Sequence, residues 1–282
     1  MKKWKIVADS GCDIVTLENV AADTAFVRVP LTIQVDQEVF VDNDDLDIDH
    51  MMNTMYASHT AAKSACPSPQ AFQEAFEGAE NVFVITITGG LSGSNNSARL
   101  GKEMLQEEHP EVNVHVIDSL SAGGEIDLIV AELNRLIASG LEFDQVVEAI
   151  TAYQKRTKLL FVLSRVDNLV KNGRLSKLLG KVVGLLNIRM VGKASDTGTL
   201  ELLQKARGYK KSLKAAFEEM KKSGYQGGRI MIAHRRNEKF CQEFSELVRS
   251  HFPQASIEAL ATSGLCSFYA EEEGILMGYE VE

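Results

Sequence analysis

Short, almost unbroken apolar runs recur along the first half of this chain, and each gives way to a polar loop and then to a segment of helical periodicity. The runs are Lys5-Ile6-Val7-Ala8, Val82-Phe83-Val84-Ile85-Thr86-Ile87 and Val112 to Ile117. Rich in β-branched and aromatic side chains, they read as strands. Between them, Ser68-Pro69 has the form of a helix cap followed by a first-turn proline, and Phe72, Ala75 and Phe76 supply an apolar helical face. Ile126, Ile129, Val130, Leu133 and Ile137 form a cleaner stripe of period 3.6, which ends at Gly140, where a left-handed cap residue is wanted. Strands alternating with helices in this way specify an α/β fold with a doubly wound, mainly parallel sheet.

After about Tyr153 the pattern changes. A strand-like Leu159 to Leu163 is followed by a basic, Gly-punctuated stretch and by the turn cluster Ser195-Asp196-Thr197-Gly198. Arg229 to Ala233 then leads to a helix with Phe240, Phe244, Leu247 and Val248 on one face, and Ser256 to Leu260 returns as a strand. The chain has 282 residues, more than the ~100 to 200 usual for one domain, and its 45% hydrophobic content can fill two cores. Two α/β domains are expected, residues 1–153 and 154–282.

Composition removes several function classes. A formal net charge of −9 argues against general nucleic-acid binding, which needs a basic surface to displace counterions. No apolar run approaches the ~18 residues of a membrane span. Met1-Lys2-Lys3-Trp4 leads into a strand-like segment without a signal-peptide pattern, so the expected compartment is the cytoplasm. Cys12, Cys66, Cys241 and Cys266 are far apart, with no paired spacing and no His at zinc-ligand distance, so neither a disulfide framework nor a metal site is signalled. From Arg165 to Lys222 there are 14 Lys and Arg against 5 Asp and Glu. A solvated helix face is the favoured reading of that surplus, and a docking surface for an acidic partner is the other.

In parallel α/β sheets, ligands gather beyond the carboxyl ends of the strands. Three such ends are polar here: Asp9-Ser10-Gly11, the long loop Thr88-Gly89-Gly90-Leu91-Ser92-Gly93-Ser94-Asn95-Asn96-Ser97, and Asp118-Ser119. The long loop leads into a helical segment bearing Leu100 and Met104, whose first backbone N–H groups can point at an anion. Three readings stand open for it. It can be a tight turn that caps the helix. It can be a hydrolase nucleophile elbow, although Gly90-Leu91-Ser92-Gly93-Ser94 places Ser where the final Gly belongs, and His234 is the only strand-end candidate for a base. Or it can cradle a carboxylate or phosphate without covalent chemistry, helped by the hydroxyl-rich Lys63-Ser64-Ala65-Cys66-Pro67-Ser68-Pro69. The spacing of Gly89, Gly90 and Gly93 fits no dinucleotide fingerprint, and a Walker lysine is missing, so no cofactor is implied.

At these residues the sequence resembles the DegV family, also called the EDD fold family, of bacterial fatty-acid-binding proteins. Asp9-Ser10-Gly11-Cys12-Asp13 is similar to the family's opening Asp-Ser-x-x-Asp, Val29-Pro30-Leu31 to its Val-Pro-Leu strand, and Asp42 to Asp47 to the acidic loop after it. Leu91-Ser92-Gly93-Ser94 resembles Leu-Ser-Gly-Thr, Asp118-Ser119 the Asp-Ser strand end, and Asn172-Gly173-Arg174-Leu175 Gly-Gly-Arg-Ile. The resemblance runs nearly end to end. It implies two α/β domains with an apolar tunnel between them that holds a long-chain fatty acid. It further implies a head-group site made by Ser64, Thr88, Ser92, Gly93, Ser94 and Arg174, no catalytic residue, and a separate fatty acid kinase as partner. The alternative is an enzyme or kinase subunit for a small polar ligand, since the fold is related to that of dihydroxyacetone kinases. Where the family often carries His-Thr-Gly-Pro-Gly near the C-terminus, this chain reads Ser267-Phe268-Tyr269-Ala270-Glu271-Glu272-Glu273-Gly274, without a His.

Overall fold

The computed structural model describes residues 1–176 and 187–282. In β1 (Lys2–Asp9), Ile6 and Ala8 join one apolar layer and Val7 another, and all three are fully buried. A strand buried on both faces requires cover on both sides. β1 lies inside a four-stranded parallel sheet, with β2 (Thr24–Val29) on one side and β6 (Ala79–Thr86) then β7 (Asn113–Asp118) on the other. One face is covered by α2 (Pro69–Phe76) and α3 (Ser94–Glu108), whose Phe72, Phe76, Ala98 and Leu105 pack with Val7, Val82 and Val84. The opposite face takes α4 (Gly124–Ala138) and α5 (Phe143–Gln154), whose Ile126, Ile129, Leu133 and Ile150 meet Trp4, Ile6 and Ile85. This is the expected doubly wound sheet.

The local signals hold. Ser68 caps α2 by accepting from Ala71 N at 3.1 Å, Pro69 is its first residue, and Gly140 has φ +82°. Leu100 and Met104 of α3 are 41% and 37% exposed, and the packed face consists of Ser94, Ser97, Ala98, Gly101 and Leu105. Small residues are needed there because α2 is very near: a Cβ on Gly101 would lie 2.6 Å from the Pro69 carbonyl oxygen.

The second sheet runs β10 (Leu200–Arg207), β9 (Ile188–Ala194), β8 (Thr157–Leu163), β13 (Ile275–Glu280), β11 (Arg229–His234), β12 (Ser256–Ala261). The β11–β12 pair is parallel, joined through α8 (Glu238–His251) as the strand-helix-strand pattern predicts. Its other pairings are antiparallel, so the sheet is mixed. α7 (Tyr209–Lys222) and α8 cover one face, with Phe217, Met220, Phe240 and Phe244 against Leu160, Val162, Ile230 and Ile232. On α7, Lys221 and Lys222 pair with Glu218 and Glu219, which absorbs part of the basic surplus on a solvated helix face. Lys177 and Lys181 of that stretch lie outside the described residues.

The alternate side chains of β8, Leu159, Phe161 and Leu163, turn toward α6 (Asp167–Lys171) and α9 (Gly264–Ala270). α4 packs between the two sheets. It meets the second sheet backbone to backbone, since a Cβ on Gly124 would fall 2.3 Å from Met231 O and 2.7 Å from Gly278 N. A third, small antiparallel sheet, β4 (Glu38–Val41), β3 (Thr32–Val35), β5 (Lys63–Ala65), packs Ile33 and Val35 with Met51, Met52 and Met55 of α1 (Ile48–Ala57) and with Phe268.

Buried carboxylates tie α9 to the first half of the chain. Asp13 accepts from Ser263 N at 2.7 Å and from its hydroxyl at 2.9 Å, and Asp42 accepts from Gly264 N at 2.7 Å and Leu265 N at 2.8 Å. Burial pushes Asp13 up to about 6, and burial with the neighbouring Asp13 charge drives Asp127 well above the ordinary carboxylate range. Among the described residues, no helix is long and apolar enough to cross a membrane.

Candidate ligand-binding site

A cavity of about 300 Å³ lies where the carboxyl ends of the parallel strands face the second sheet. Small-molecule sites occupy ~300 to 1,000 Å³. One wall is hydrocarbon: Leu159, Phe161 and Leu163 from β8, Leu276 from β13, Leu169 from α6 and Leu200 from β10. The period of two in a strand dictates this, because Leu160 and Val162 fill the core on the far side.

The polar lining is connected into one rim. Ser64 of β5 and Tyr269 of α9 share a hydrogen bond, Oγ to OH, at 2.7 Å. Two residues on, Cys66 Sγ lies 3.0 Å from where a Cβ on Gly93 would stand, so the β5 segment touches the Gly/Ser loop. In that loop the Ser92 hydroxyl donates to Ser94 Oγ at 3.3 Å and accepts from Ser94 N at 3.2 Å. Arg174 completes the rim. Its Nε donates to Leu91 O at 3.2 Å and its Nη1 to Asn172 O.

Of the six residues expected to form the site, Ser64, Ser92, Gly93 and Arg174 line the cavity. Thr88 and Ser94 do not, and they serve the loop instead. Thr88 Oγ1 accepts from Gly90 N at 3.0 Å, while its carbonyl accepts from Leu91 N and Ser92 N, each at 3.1 Å. Thr88 is also pinned from above by Gly198 in the β9–β10 turn, where a Cβ would come within 1.9 Å of its hydroxyl. Ser94 is fully buried and reaches Asp9, which also accepts from Gly11 N and Ile87 N, both at 2.9 Å. Burial nonetheless raises Asp9 to about 6, so its charge is held beneath the loop at a cost.

The nucleophile-elbow reading is not assembled. His234 does not line the cavity, its Nδ1 accepts from Asn237 N at 3.2 Å, and burial lowers its pKa. The tight-turn reading is partly right, since Thr88 and Asp118 do organise the loop, Asp118 accepting from Gly89 N at 3.1 Å. Sequence reasoning did not select Tyr269, whose hydroxyl meets Ser64 across 205 residues of chain. The signal was available: Tyr269 falls in the stretch where the family pattern has its His.

Arranged this way, a hydroxyl-and-guanidinium rim closes an apolar cavity, which suits an amphipathic molecule with one anionic end. Comparison with known proteins places the arrangement in a lineage. A family model for the DegV proteins, described as uncharacterised, matches residues 3–279. This chain belongs to the DegV family. A DegV domain-containing protein of Streptococcus pneumoniae is 68% identical over 279 residues, covering 99% of both chains, and one from Streptococcus gordonii is 67% identical over 278 residues, again covering 99% of both. Among solved structures, the Streptococcus pneumoniae fatty acid kinase (Fak) B3 protein loaded with linoleic acid matches with a TM-score of 0.98 at 68% identity, covering 99% of this chain and 100% of that one. A DegV family protein from Eubacterium eligens loaded with heptadecanoic acid gives a TM-score of 0.95 at 37% identity, with the same coverage. The likeness in fold extends over nearly the whole chain.

Proposed function

We propose that this chain is a non-catalytic, cytoplasmic carrier that binds one long-chain fatty acid in the cavity and presents its carboxylate to a separate fatty acid kinase. The observation that carries this reading is the division of the cavity into a hydrocarbon wall and a single polar rim of Ser64, Tyr269, Ser92 and Arg174. The division between residues 1–153 and 154–282 belongs to the same reading, the first part supplying the Gly/Ser loop and the second the hydrocarbon wall of β8 and β13.

Energetics favour the assignment. Burying ~15 methylenes at ~0.8 kcal/mol each contributes on the order of 12 kcal/mol before the losses of association and chain ordering. A carboxylate drawn to the rim would cost several kcal/mol unless paired, and Arg174 with three hydroxyls supplies the partners. A small polar ligand of the dihydroxyacetone type would leave the leucine-lined wall without an occupant. The close relation to a fatty acid kinase B3 protein loaded with linoleic acid, and to a heptadecanoic-acid-loaded relative, supports both the ligand class and the kinase partner.

Lipid extraction and native mass spectrometry of the purified chain test the proposal. A fatty acid is expected in the extract, and added acid is expected to bind the stripped protein. A stripped protein that takes up no acid refutes the carrier.

A further inference from the structure

The turn that ends α9 is built on residues ill suited to its backbone. Glu271 has φ +52° and ψ −168°, a region essentially reserved for glycine, and Glu273 is left-handed at φ +62°. A side chain retained at such a position supplies a contact that glycine could not. For Glu271 the contact is visible: the residue is only 1% exposed, and its carboxylate accepts from Asn168 N, in α6, at 3.1 Å.

Asn168 is itself buried and reaches two other elements. Its Nδ2 donates to Phe268 O of α9 at 2.8 Å and contacts Met55 Sδ of α1 at 2.8 Å. One turn on, Asn172 Nδ2 donates to Ala62 O at 3.0 Å. These anchor points sit next to the head-group rim in the chain. Phe268 precedes Tyr269, Ala62 stands two residues before Ser64, and Asn172 stands two residues before Arg174. The five-residue α6 therefore connects the three segments that deliver rim residues from β5, α9 and its own C-terminal side.

We infer that Glu271 is a positioning residue: by holding α6 against α9 it sets Arg174 relative to the Tyr269–Ser64 pair and so fixes the geometry offered to an anionic head group. The ligand named here rests on the fatty-acid reading; the latch itself rests only on the contacts of Glu271, Asn168 and Asn172.

The latch is also sensitive to pH. Glu271 faces Asp167 and Lys171 of α6, Arg165 just before it, Tyr56 of α1 and its own neighbour Glu272. Burial, reinforced by Asp167, outweighs the Asn168 N–H and the Arg165 charge and pushes Glu271 up to about 7. The closed latch therefore prefers the protonated acid, while opening lets the carboxyl ionise near its ordinary 4.5. Opening becomes easier as pH rises through the interval between those two values and levels off above it.

The test uses the full chain. Amide hydrogen exchange across residues 168–175 is followed without ligand at pH 5.5 and 7.5, corrected for intrinsic exchange, and binding of linoleic acid is compared with that of linoleyl alcohol. In the wild type the opening constant is expected to rise roughly twentyfold between pH 5.5 and 7.5. Glu271→Gln keeps an acceptor but does not ionise, so its profile is expected to be flat. Glu271→Ala is expected to raise exchange at both pH values and to lower the preference for acid over alcohol about tenfold, with exchange in β1 and β6 unchanged. Should Glu271→Ala fail to fold, the flat profile of Glu271→Gln decides. A Glu271→Gln protein that keeps the wild-type pH response overturns the latch, as does a folded Glu271→Ala protein with unaltered exchange and ligand preference. If exchange behaves as expected but neither ligand binds the wild type, the latch stands and the fatty-acid reading falls.

Discussion

The Gly/Ser loop from Thr88 to Ser97 and the turn from Tyr269 to Gly274 each deliver hydroxyls to the same rim, but they are held in place in opposite ways. The loop carries bonds of its own and is anchored on the strand ends beneath it, where Asp118 accepts from Gly89 N and Ser121 O from Thr88 N. Thr88, Ser92 and Ser94 bond to one another's backbone, and glycine occupies the close approach at Gly90, where a Cβ would come 2.7 Å from Thr197 O. The turn holds few bonds of its own and is gripped from outside, by α6 through Asn168, by Asn237 Nδ2 on Glu273 O at 2.7 Å, and by Arg189 on the Glu273 carboxylate. A loop with bonds of its own keeps more of its shape when its surroundings change, whereas a turn in left-handed glutamates is only as ordered as its neighbours. Damage in the loop is thus expected to stay local, and damage at the turn to spread.

The sharpest way to break this contrast is Gly198→Ala. The substitution is strained at φ +72° and drives a Cβ into Thr88 Oγ1, so the support of the loop fails from a neighbouring turn. A loss of ~2 to 4 kcal/mol is expected in urea unfolding, and an unchanged midpoint would mean that the loop does not lean on this turn. On the turn side, Asn168→Ala leaves Phe268 O without its donor in a buried site. It is expected to cost ~1 to 3 kcal/mol and to weaken both fatty acid and fatty alcohol binding, measured by calorimetry, because the whole end of the cavity shifts. Ser92→Ala should behave differently. Affinity for free acids is expected to drop about tenfold while alcohols of equal length and overall stability stay nearly constant; equal loss for both ligands would remove the head-group role. Tyr269→Phe, which deletes only the hydroxyl paired with Ser64, is expected to cost the acid a few-fold, or ~1 kcal/mol.

The two regions also differ in titration. Asp9 beneath the loop is raised to about 6 and Glu271 behind the turn to about 7, both chiefly by burial. Groups raised in the folded state contribute stability at low pH that is lost as pH climbs from their ordinary values through the folded ones. Glu132 and Glu280, lowered by Arg229 and other partners despite burial, work in the opposite direction only below the ordinary Glu value of 4.5. Between pH 7.5 and 5, therefore, acidification is expected to raise the melting temperature by a few degrees. Glu271→Gln is expected to remove the part of that response nearest neutrality, which scanning fluorimetry would detect.

How much of this could be read from the chain depended on the range of the interaction. Ser68-Pro69 and Gly140 announce their helix ends because caps are settled within a few residues, and Ser92 and Arg174 stand in motifs whose order along the chain carries the family pattern. The packed face of α3 is not legible locally, because the crossing of α2 and α3 selects Ala98 and Gly101 for size and leaves the apolar Leu100 and Met104 outside. The mixed character of the second sheet was hidden for a different reason. β13 comes last in the chain yet pairs between β8 and β11, and no local pattern records that choice. Thr88 is expected at the ligand on the strength of its loop, while its side chain stands outside the cavity lining and accepts from the Gly90 amide. The Tyr269–Ser64 contact joins residues 205 apart and needs two sheets and α9 in place before it exists.

The glycines at the start of α4 carry a last consequence. Gly123 rests on Leu276, which lines the cavity, and Gly124 rests on the backbone of β11 and β13 with no side chain between. At that point the gap between helix and sheet is set by main-chain thickness, and no rotamer change can widen or narrow it. The cavity thus borders a fixed calliper on its Leu276 side, so a bulkier or slimmer occupant would have to be met by the side chains of the opposite wall.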